Sequence, residues 1–380
     1  MTALWLTTDP SHLPNMTHLP GITASNNQTC GNNDSFKFLA YTVTYCFICP
    51  VGFLCNSLAL LVFFCCTPKK SANTVFMINL SLSDVSFSLT LPFRLVYYLQ
   101  GGQWDFPDWL CRWCVFSFYL NLYTSVLFLT GLSVLRYLAV LHPIQNKTLV
   151  TVRRACWVCL GIWVFVALSS TPFLLSGTHQ HLGKTRCFEP RGHKAWKLIL
   201  VLNYVGLVLG FLLPFLTILA CYSRIIHRLT TRDKRLRRTQ ANRQRPVYLV
   251  AVILTTFFLC FLPYHLARTA HLHAVILQDS SKPQDCWLTE LLQKILVMTL
   301  CLATSNSCFN PLLYYFSGEN FRKAVCAAGS VRSRKSPGSF NRGSLLDSRG
   351  KFNPHHLSPP VKDKGLIQDN NAILNRAAQV

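Results

Sequence analysis

The sequence predicts an all-α membrane protein, a seven-transmembrane helix bundle with a short amphipathic eighth helix. Seven stretches are each long enough to cross a bilayer, charge is almost excluded from them, and basic residues gather in the links between them. Crossing the hydrocarbon core takes about 20 mostly apolar residues. The stretches are Phe38–Cys66, Asn73–Phe93, Trp113–Leu135, Ala155–Ser176, Leu198–Ser223, Pro246–Tyr264 and Ile295–Ser317. Between their ends the only acidic or basic residue is Asp84. A soluble core helix carries a polar stripe on one face, and these stretches lack one.

The formal net charge of +23 would suit a nucleic-acid partner, but its placement does not. Lys69 and Lys70 follow the first stretch, and Lys147, Arg153 and Arg154 precede the fourth. Arg224, Arg228, Arg232, Lys234, Arg235, Arg237, Arg238, Arg243 and Arg245 fill the link between the fifth and sixth. Arg322, Lys323, Arg332, Arg334 and Lys335 follow the last, whereas Met1–Phe36 holds no Lys or Arg. The positive-inside rule assigns the basic links to the cytosol and the N-terminus to the outside of a multi-pass plasma-membrane protein. The lipid bilayer, not nucleic acid, is the expected partner of this charge.

The expected organisation is an extracellular glycosylated tail over 1–36, the bundle over 37–318, an amphipathic juxtamembrane helix over 319–328 and a disordered cytoplasmic tail over 329–380. Asn15, Asn27 and Asn33 head glycosylation sequons in the outer tail, while the sequon at Asn146 falls on the cytosolic side. The first residues show no basic segment followed by an apolar one, so the first span is expected to serve as the insertion signal. Phe321 and Val325 are expected on the lipid side of the short helix, with Arg322 and Lys323 towards headgroups.

Topology sorts the 17 cysteines. Cys30, Cys111, Cys187 and Cys286 fall near the outer surface, where disulfides form, and four cysteines allow about three pairings. The C-x-x-C patterns at Cys46, Cys111 and Cys156 lie mostly within apolar helices and read as packing thiols rather than metal or redox sites. His271 and His273, two apart on a helix, face away from each other. Cys326, in the juxtamembrane segment, is a candidate for palmitoylation.

Each span carries a residue that a lipid-facing helix would avoid. They are Asn56; Asp84 within Asn79-Leu80-Ser81-Leu82-Ser83-Asp84; Arg136 within Leu135-Arg136-Tyr137; Trp163; and Pro214 with Tyr222. Phe261 and Pro263, and then Asn310-Pro311-Leu312-Leu313-Tyr314, complete the series. An intramembrane carboxylate is costly and must face the bundle interior. This ordered set resembles the rhodopsin-like G-protein-coupled receptors from about Phe36 to Ala328.

The resemblance implies that Asp84, Ser125, Asn306, Ser307 and Asn310 form a mid-bundle pocket for a structural sodium ion, with no other cofactor. A buried carboxylate with hydroxyl and amide oxygens suits a hard cation. It implies a switch built from Arg136, Tyr222, Phe261, Pro263, Pro311 and Tyr314, and bridges pairing Cys111 with Cys187 and Cys30 with Cys286. The partners it implies are a heterotrimeric G protein, and arrestin after phosphorylation of the tail. One departure stands out: the position before Arg136, usually acidic in the class, is Leu135. The stretch Gln240–Pro246 likewise offers no carboxylate. The inactive state is then held by other contacts, or is less favoured.

Arg94, Tyr119, Tyr123, Tyr264 and Arg268 lie in the outer halves of their spans. Tyr119 and Tyr123 share one helix face, as do Tyr264 and Arg268. Arginines among aromatic rings suit an anion with a large apolar part, because guanidinium pairs bidentately with carboxylate or phosphate. The alternative is that both arginines extend to water from the helix ends.

The segments Arg94-Leu95-Val96-Tyr97-Tyr98, Asn121-Leu122-Tyr123 and Cys187-Phe188-Glu189-Pro190 look like those of the cysteinyl leukotriene receptors. So do the stretches from Tyr264 to His273 and from Leu302 to Phe309. That resemblance implies a lipid mediator bearing carboxylates as ligand and signalling mainly through Gq-type proteins, phospholipase C and calcium. It places Arg94, Tyr119, Tyr264 and Arg268 at the ligand. A nucleotide receptor, or another carboxylate or lipid receptor of the same branch, is the nearest rival. A retinal pump needs a lysine in the middle of the seventh span, where Thr304 stands. A transporter predicts internal repeats, and none is evident. No catalytic constellation marks an enzyme.

Overall fold

The computed structural model describes residues 34–67, 70–175, 177–181, 183–188, 192–231, 250–277, 286–317 and 321. Among them, seven helices are long and apolar enough to span a membrane. In chain order, spans one to seven are Ser35–Cys65, Ala72–Leu99, Asp108–Leu141, Val152–Leu175, Trp196–Arg228, Val250–Ile276 and Trp287–Tyr315.

Every expected stretch overlaps one of these helices, residues 176 and 246–249 lying outside the described ones, and several of the described ends differ for physical reasons. Span three begins at Asp108, before the expected Trp113, because Asp108 and Arg112 pair across one helical turn at 2.6 Å. Span six continues past Tyr264 to Ile276, and span seven starts before Ile295. A polar residue ends an apolar window, but it does not end a helix whose polar face turns inward.

The bundle is inverted relative to a soluble protein. On span one Phe47, Leu54 and Leu61 are 70%, 63% and 59% exposed at heptad spacing, while Tyr45, Asn56 and Ala59 are fully buried. An apolar face of that size is unstable in water and needs no cover in lipid. Span one packs on two, two on three, five on six, six on seven, and seven back on one. Span three also meets four and five, which makes it the axis of the bundle.

Polar atoms on the inner faces tie the helices together. Asn56 Nδ2 donates to the carbonyls of Gly52 and Ser307, each at 2.9 Å, and so joins spans one and seven. Trp163 Nε1 donates to Asn79 Oδ1 at 2.9 Å, fastening span four to span two. Span three approaches span two closely at Gly131, where an added Cβ would strike the buried Phe76 ring. Gly131→Ala is therefore expected to lower the melting temperature of detergent-solubilised protein, since overpacking a core costs about 1–3 kcal/mol. An unchanged melting curve would show that Phe76 moves aside freely.

Two π-helical turns, Gly206–Leu212 and Phe257–Phe261, lie just ahead of Pro214 and Pro263. Proline lacks the N–H that would bond the carbonyl one turn back, and its ring crowds that carbonyl. The wider turn relieves both problems.

The glycosylation sites Asn15, Asn27 and Asn33, the Cys30–Cys286 pairing, the 319–328 helix with Cys326, and the tail lie outside the described residues. Phe321 alone is described there, and it corrects an expectation. It is buried rather than lipid-facing, with its ring 5.4 Å from Phe63 and 6.2 Å from Tyr314.

Candidate ligand cavity

A cavity of about 180 Å³ opens at the Cys111 end of the bundle. Arg94, Tyr119, Tyr264 and Arg268 line it together. Arg94 is buried on span two, and its Nη2 donates to the Cys114 carbonyl at 2.6 Å. Its guanidinium carbon lies 4.6 Å from the centre of the Phe188 ring and 5.5 Å from that of Phe118. Arg94 Nε has no hydrogen-bond partner among the described residues. Across the cavity, Arg268 Nη2 donates to the Tyr119 hydroxyl at 3.4 Å. The Tyr119 ring stacks on Phe173, with centroids 3.7 Å apart.

The described lining holds Lys37, Arg94 and Arg268 but no carboxylate. Lys37 is paired with Asp34 at 3.0 Å, whereas the two arginines are framed by aromatic rings and a main-chain carbonyl. Guanidinium removed from water and left without a counter-anion is electrostatically unfavourable, so the cavity favours an anion. Its apolar remainder, including Val115, Leu296 and Leu300, suits hydrocarbon.

A lid covers the cavity mouth. Cys111 and Cys187 are bridged, with Cα atoms 6.0 Å apart. Ahead of Cys187, β1 (His179–His181) and β2 (Lys184–Arg186) form an antiparallel hairpin that pairs His179 with Arg186. Trp104 N donates to the Thr185 carbonyl at 2.8 Å, and Asp108 Oδ1 accepts from Thr178 N at 2.6 Å. Phe188 takes a left-handed φ of 69°, a conformation that bulky side chains rarely adopt. That twist aims its ring between Arg94, Tyr97 and Trp104, with the Tyr97 ring centre 5.2 Å away and that of Trp104 5.6 Å away.

Tyr123 is placed apart from the other four. It lines a side crevice of about 40 Å³ between spans three, four and five, and Phe173 borders both spaces. The π turn of span five makes room for it, since a Cβ at Gly206 or Gly210 would strike the Tyr123 side chain. Phe118, Phe173 and Tyr41 also line the cavity, and no motif in the sequence marks them. Phe118 neighbours Tyr119 on span three, but aromatic residues on lipid-facing and inward faces look alike in sequence.

Deeper in the bundle, Asp84 Oδ1 accepts from Asn121 Nδ2 at 3.0 Å and its Oδ2 accepts from Asn310 Nδ2 at 2.7 Å. Asn121, which the expected set omitted, thus joins span three to the carboxylate. Ser125 Oγ, Asn306 Oδ1 and Asn310 Oδ1 are buried without a hydrogen-bond partner among the described residues. Ser125 lies one turn below Asn121, and Asn306 one turn from Asn310. Ser307 Oγ instead donates to the Thr304 carbonyl at 3.2 Å. Orphaned oxygens around a buried carboxylate fit a hard cation such as sodium.

Towards the Arg136 end, Ser133 Oγ donates to the Tyr222 hydroxyl at 3.0 Å, joining spans three and five. The Tyr314 hydroxyl donates to Asn56 Oδ1 at 3.4 Å, beside Pro311 in the last helical segment. Phe261 is fully buried against Phe257, two residues before Pro263. Arg136 is partly buried on span three.

Residues 55–314 match the family model for the 7 transmembrane receptor (rhodopsin family). The chain is 42% identical to cysteinyl leukotriene receptor 1 of Mus musculus over 322 residues, covering 84% of this chain and 90% of that receptor. It is 40% identical to cysteinyl leukotriene receptor 2 of Homo sapiens, covering 81% and 86% respectively. Lysophosphatidic acid receptor 6 of Mus musculus is 33% identical over 92% of this chain and 99% of that receptor.

Proposed function

The chain belongs to the rhodopsin family of seven-transmembrane receptors, and from that premise we propose that its ligand is a cysteinyl leukotriene-like anionic lipid. The observation that carries the reading is the pairing of Arg94 and Arg268 in one aromatic cavity whose described lining has no carboxylate. The relatives named for cysteinyl leukotrienes support the same ligand class. In this reading the Cys111 end is extracellular and the Arg136 end cytosolic, in agreement with the basic links. The ligand's carboxylates pair with the two guanidiniums, and its hydrocarbon lies along Phe118, Tyr264 and Leu300. Binding shifts the equilibrium between inactive and active bundles through differential affinity for the two. The active bundle engages a Gq-type protein at the Arg136 end, and arrestin binds after the tail is phosphorylated.

The test is a calcium assay in transfected cells, with a cysteinyl leukotriene, extracellular nucleotides and lysophosphatidic acid applied separately. A response to the leukotriene that a Gq inhibitor abolishes is expected. A response to nucleotides alone would reassign the arginines to phosphate.

A sodium ion at Asp84, when bound, supplies a positive charge that offsets the buried carboxylate. Ser125, Asn306 and Asn310 have the free oxygens to help hold it. Ion binding that favours the inactive bundle is expected to lower agonist affinity. Replacing choline by sodium at constant ionic strength should do so by about fivefold or more, the usual scale of coupling between sites. Asp84→Asn should remove that dependence, and equal sodium sensitivity in both proteins would contradict the assignment.

A further inference from the structure

We infer that Cys65 and Cys66, where span one ends, form a site of S-acylation by a long-chain fatty acyl group. Both thiols are exposed, and they are adjacent in the chain. The assignment rests on the orientation proposed above, which places this end of span one in the reducing cytosol, where thiols stay free.

Depth separates this pair from the other exposed cysteines. Span one has 31 residues, Ser35–Cys65. At 1.5 Å per residue it is about 46 Å long, against a hydrocarbon core of about 30 Å. Measured from the span's middle, near Pro50, Cys65 and Cys66 lie about 23 Å away, beyond the hydrocarbon half-thickness of about 15 Å and at the outer edge of the headgroup layer, about 20–22 Å out. Cys46 and Cys55 are also exposed, but they lie within about 8 Å of the middle, inside the hydrocarbon. Cys156 on span four, about 11 Å from that span's middle, also falls inside.

A second observation points to the same boundary. Lys70 Nζ lies 4.7 Å from the centre of the Phe64 ring, and Phe64 is 58% exposed. A cation over an exposed aromatic ring, followed by polar chain, marks an interface between hydrocarbon and headgroups. The helix end is also held in place, since Cys66 N donates to the Val62 carbonyl at 2.9 Å and Thr67 Oγ1 donates to the same oxygen at 3.3 Å. The thiols are thereby presented at a fixed depth, next to an apolar face formed by Leu58, Leu61 and Phe64, along which an acyl chain re-enters the bilayer. Juxtamembrane cysteines are the usual acceptors of this modification.

The chemistry is thioester exchange. A cysteine thiolate attacks the carbonyl carbon of an acyl-coenzyme A thioester, forming a new carbon–sulfur bond. The bond to coenzyme A breaks, and the departing thiolate takes up the proton that the cysteine lost. No electrons are transferred overall.

The test uses the full chain with an N-terminal epitope tag in mammalian cells. Free thiols are blocked, thioesters are cleaved with hydroxylamine, and the released thiols are tagged with a maleimide polymer. In the Cys326→Ser variant a hydroxylamine-dependent mass increment is expected to remain. It should vanish when Cys65→Ser and Cys66→Ser are added, and persist when Cys46→Ser and Cys55→Ser are added instead. No increment in Cys326→Ser, or one that survives serine at both 65 and 66, overturns the inference. Peptide mapping of the unmutated protein decides the case if the variants fail to reach the surface. Epitope staining of intact cells reports the orientation separately, so an inverted bundle is distinguished from an unmodified one.

Discussion

Arg268→Ala is expected to raise the leukotriene concentration needed for half-maximal calcium release by more than tenfold, with surface expression unchanged. Truncating one side of a desolvated charge pair costs about 2–5 kcal/mol, and each 1.4 kcal/mol or so is tenfold in affinity. Surface expression should survive because Arg268 has only a long hydrogen bond to Tyr119, at 3.4 Å, among its described side-chain bonds. Arg94→Ala should lose comparable potency, although it also frees the Cys114 carbonyl. Arg268→Lys keeps the charge but loses the planar fork, so an intermediate loss is expected. Unchanged potency in both alanine variants would show that neither arginine pairs with the ligand.

The second large effect is expected at the lid. Cys111→Ser should abolish high-affinity binding, and Cys187→Ser should do the same. Loss of a native bridge typically costs about 2–5 kcal/mol in small domains. Here it also releases Phe188, which follows Cys187 directly and whose ring contacts Arg94. The lid keeps other fastenings, notably Asp108 to Thr178 and Trp104 to Thr185, so the bundle itself should still fold. Ligand binding and surface staining, measured together, separate a displaced lid from a lost protein. Full affinity in either variant would show that the hairpin's hydrogen bonds suffice.

The spans were legible in the sequence because lipid imposes one requirement on every exposed residue. Their ends were less so. Asp108, Arg268 and His271 are polar, and only the third dimension shows that an i,i+4 partner or an inward face keeps them helical. The prolines at 214 and 263 stood out in the sequence, but not that each lies just after a π turn. Four of the five expected ligand residues meet in one cavity, since helical spacing and depth bring them to the same level of the bundle. Tyr123 shares a face with Tyr119, yet one turn of depth and the glycine-lined bulge of span five carry it into the side crevice. Phe188 was hidden because its role depends on a left-handed backbone at a bulky residue, which no local pattern announces. Phe321 read as lipid-facing because an amphipathic pattern does not show what packs above it.

The most direct test is equilibrium binding of a tritiated cysteinyl leukotriene to membranes from cells expressing the receptor, with competition by unlabelled leukotriene, by adenosine and uridine nucleotides, and by lysophosphatidic acid. The expected result is saturable binding that unlabelled leukotriene displaces, that the other compounds do not displace, and that Arg94→Ala and Arg268→Ala weaken. Absence of saturable leukotriene binding at confirmed surface expression, with specific binding of a nucleotide or lysophosphatidic acid in its place, would contradict the account.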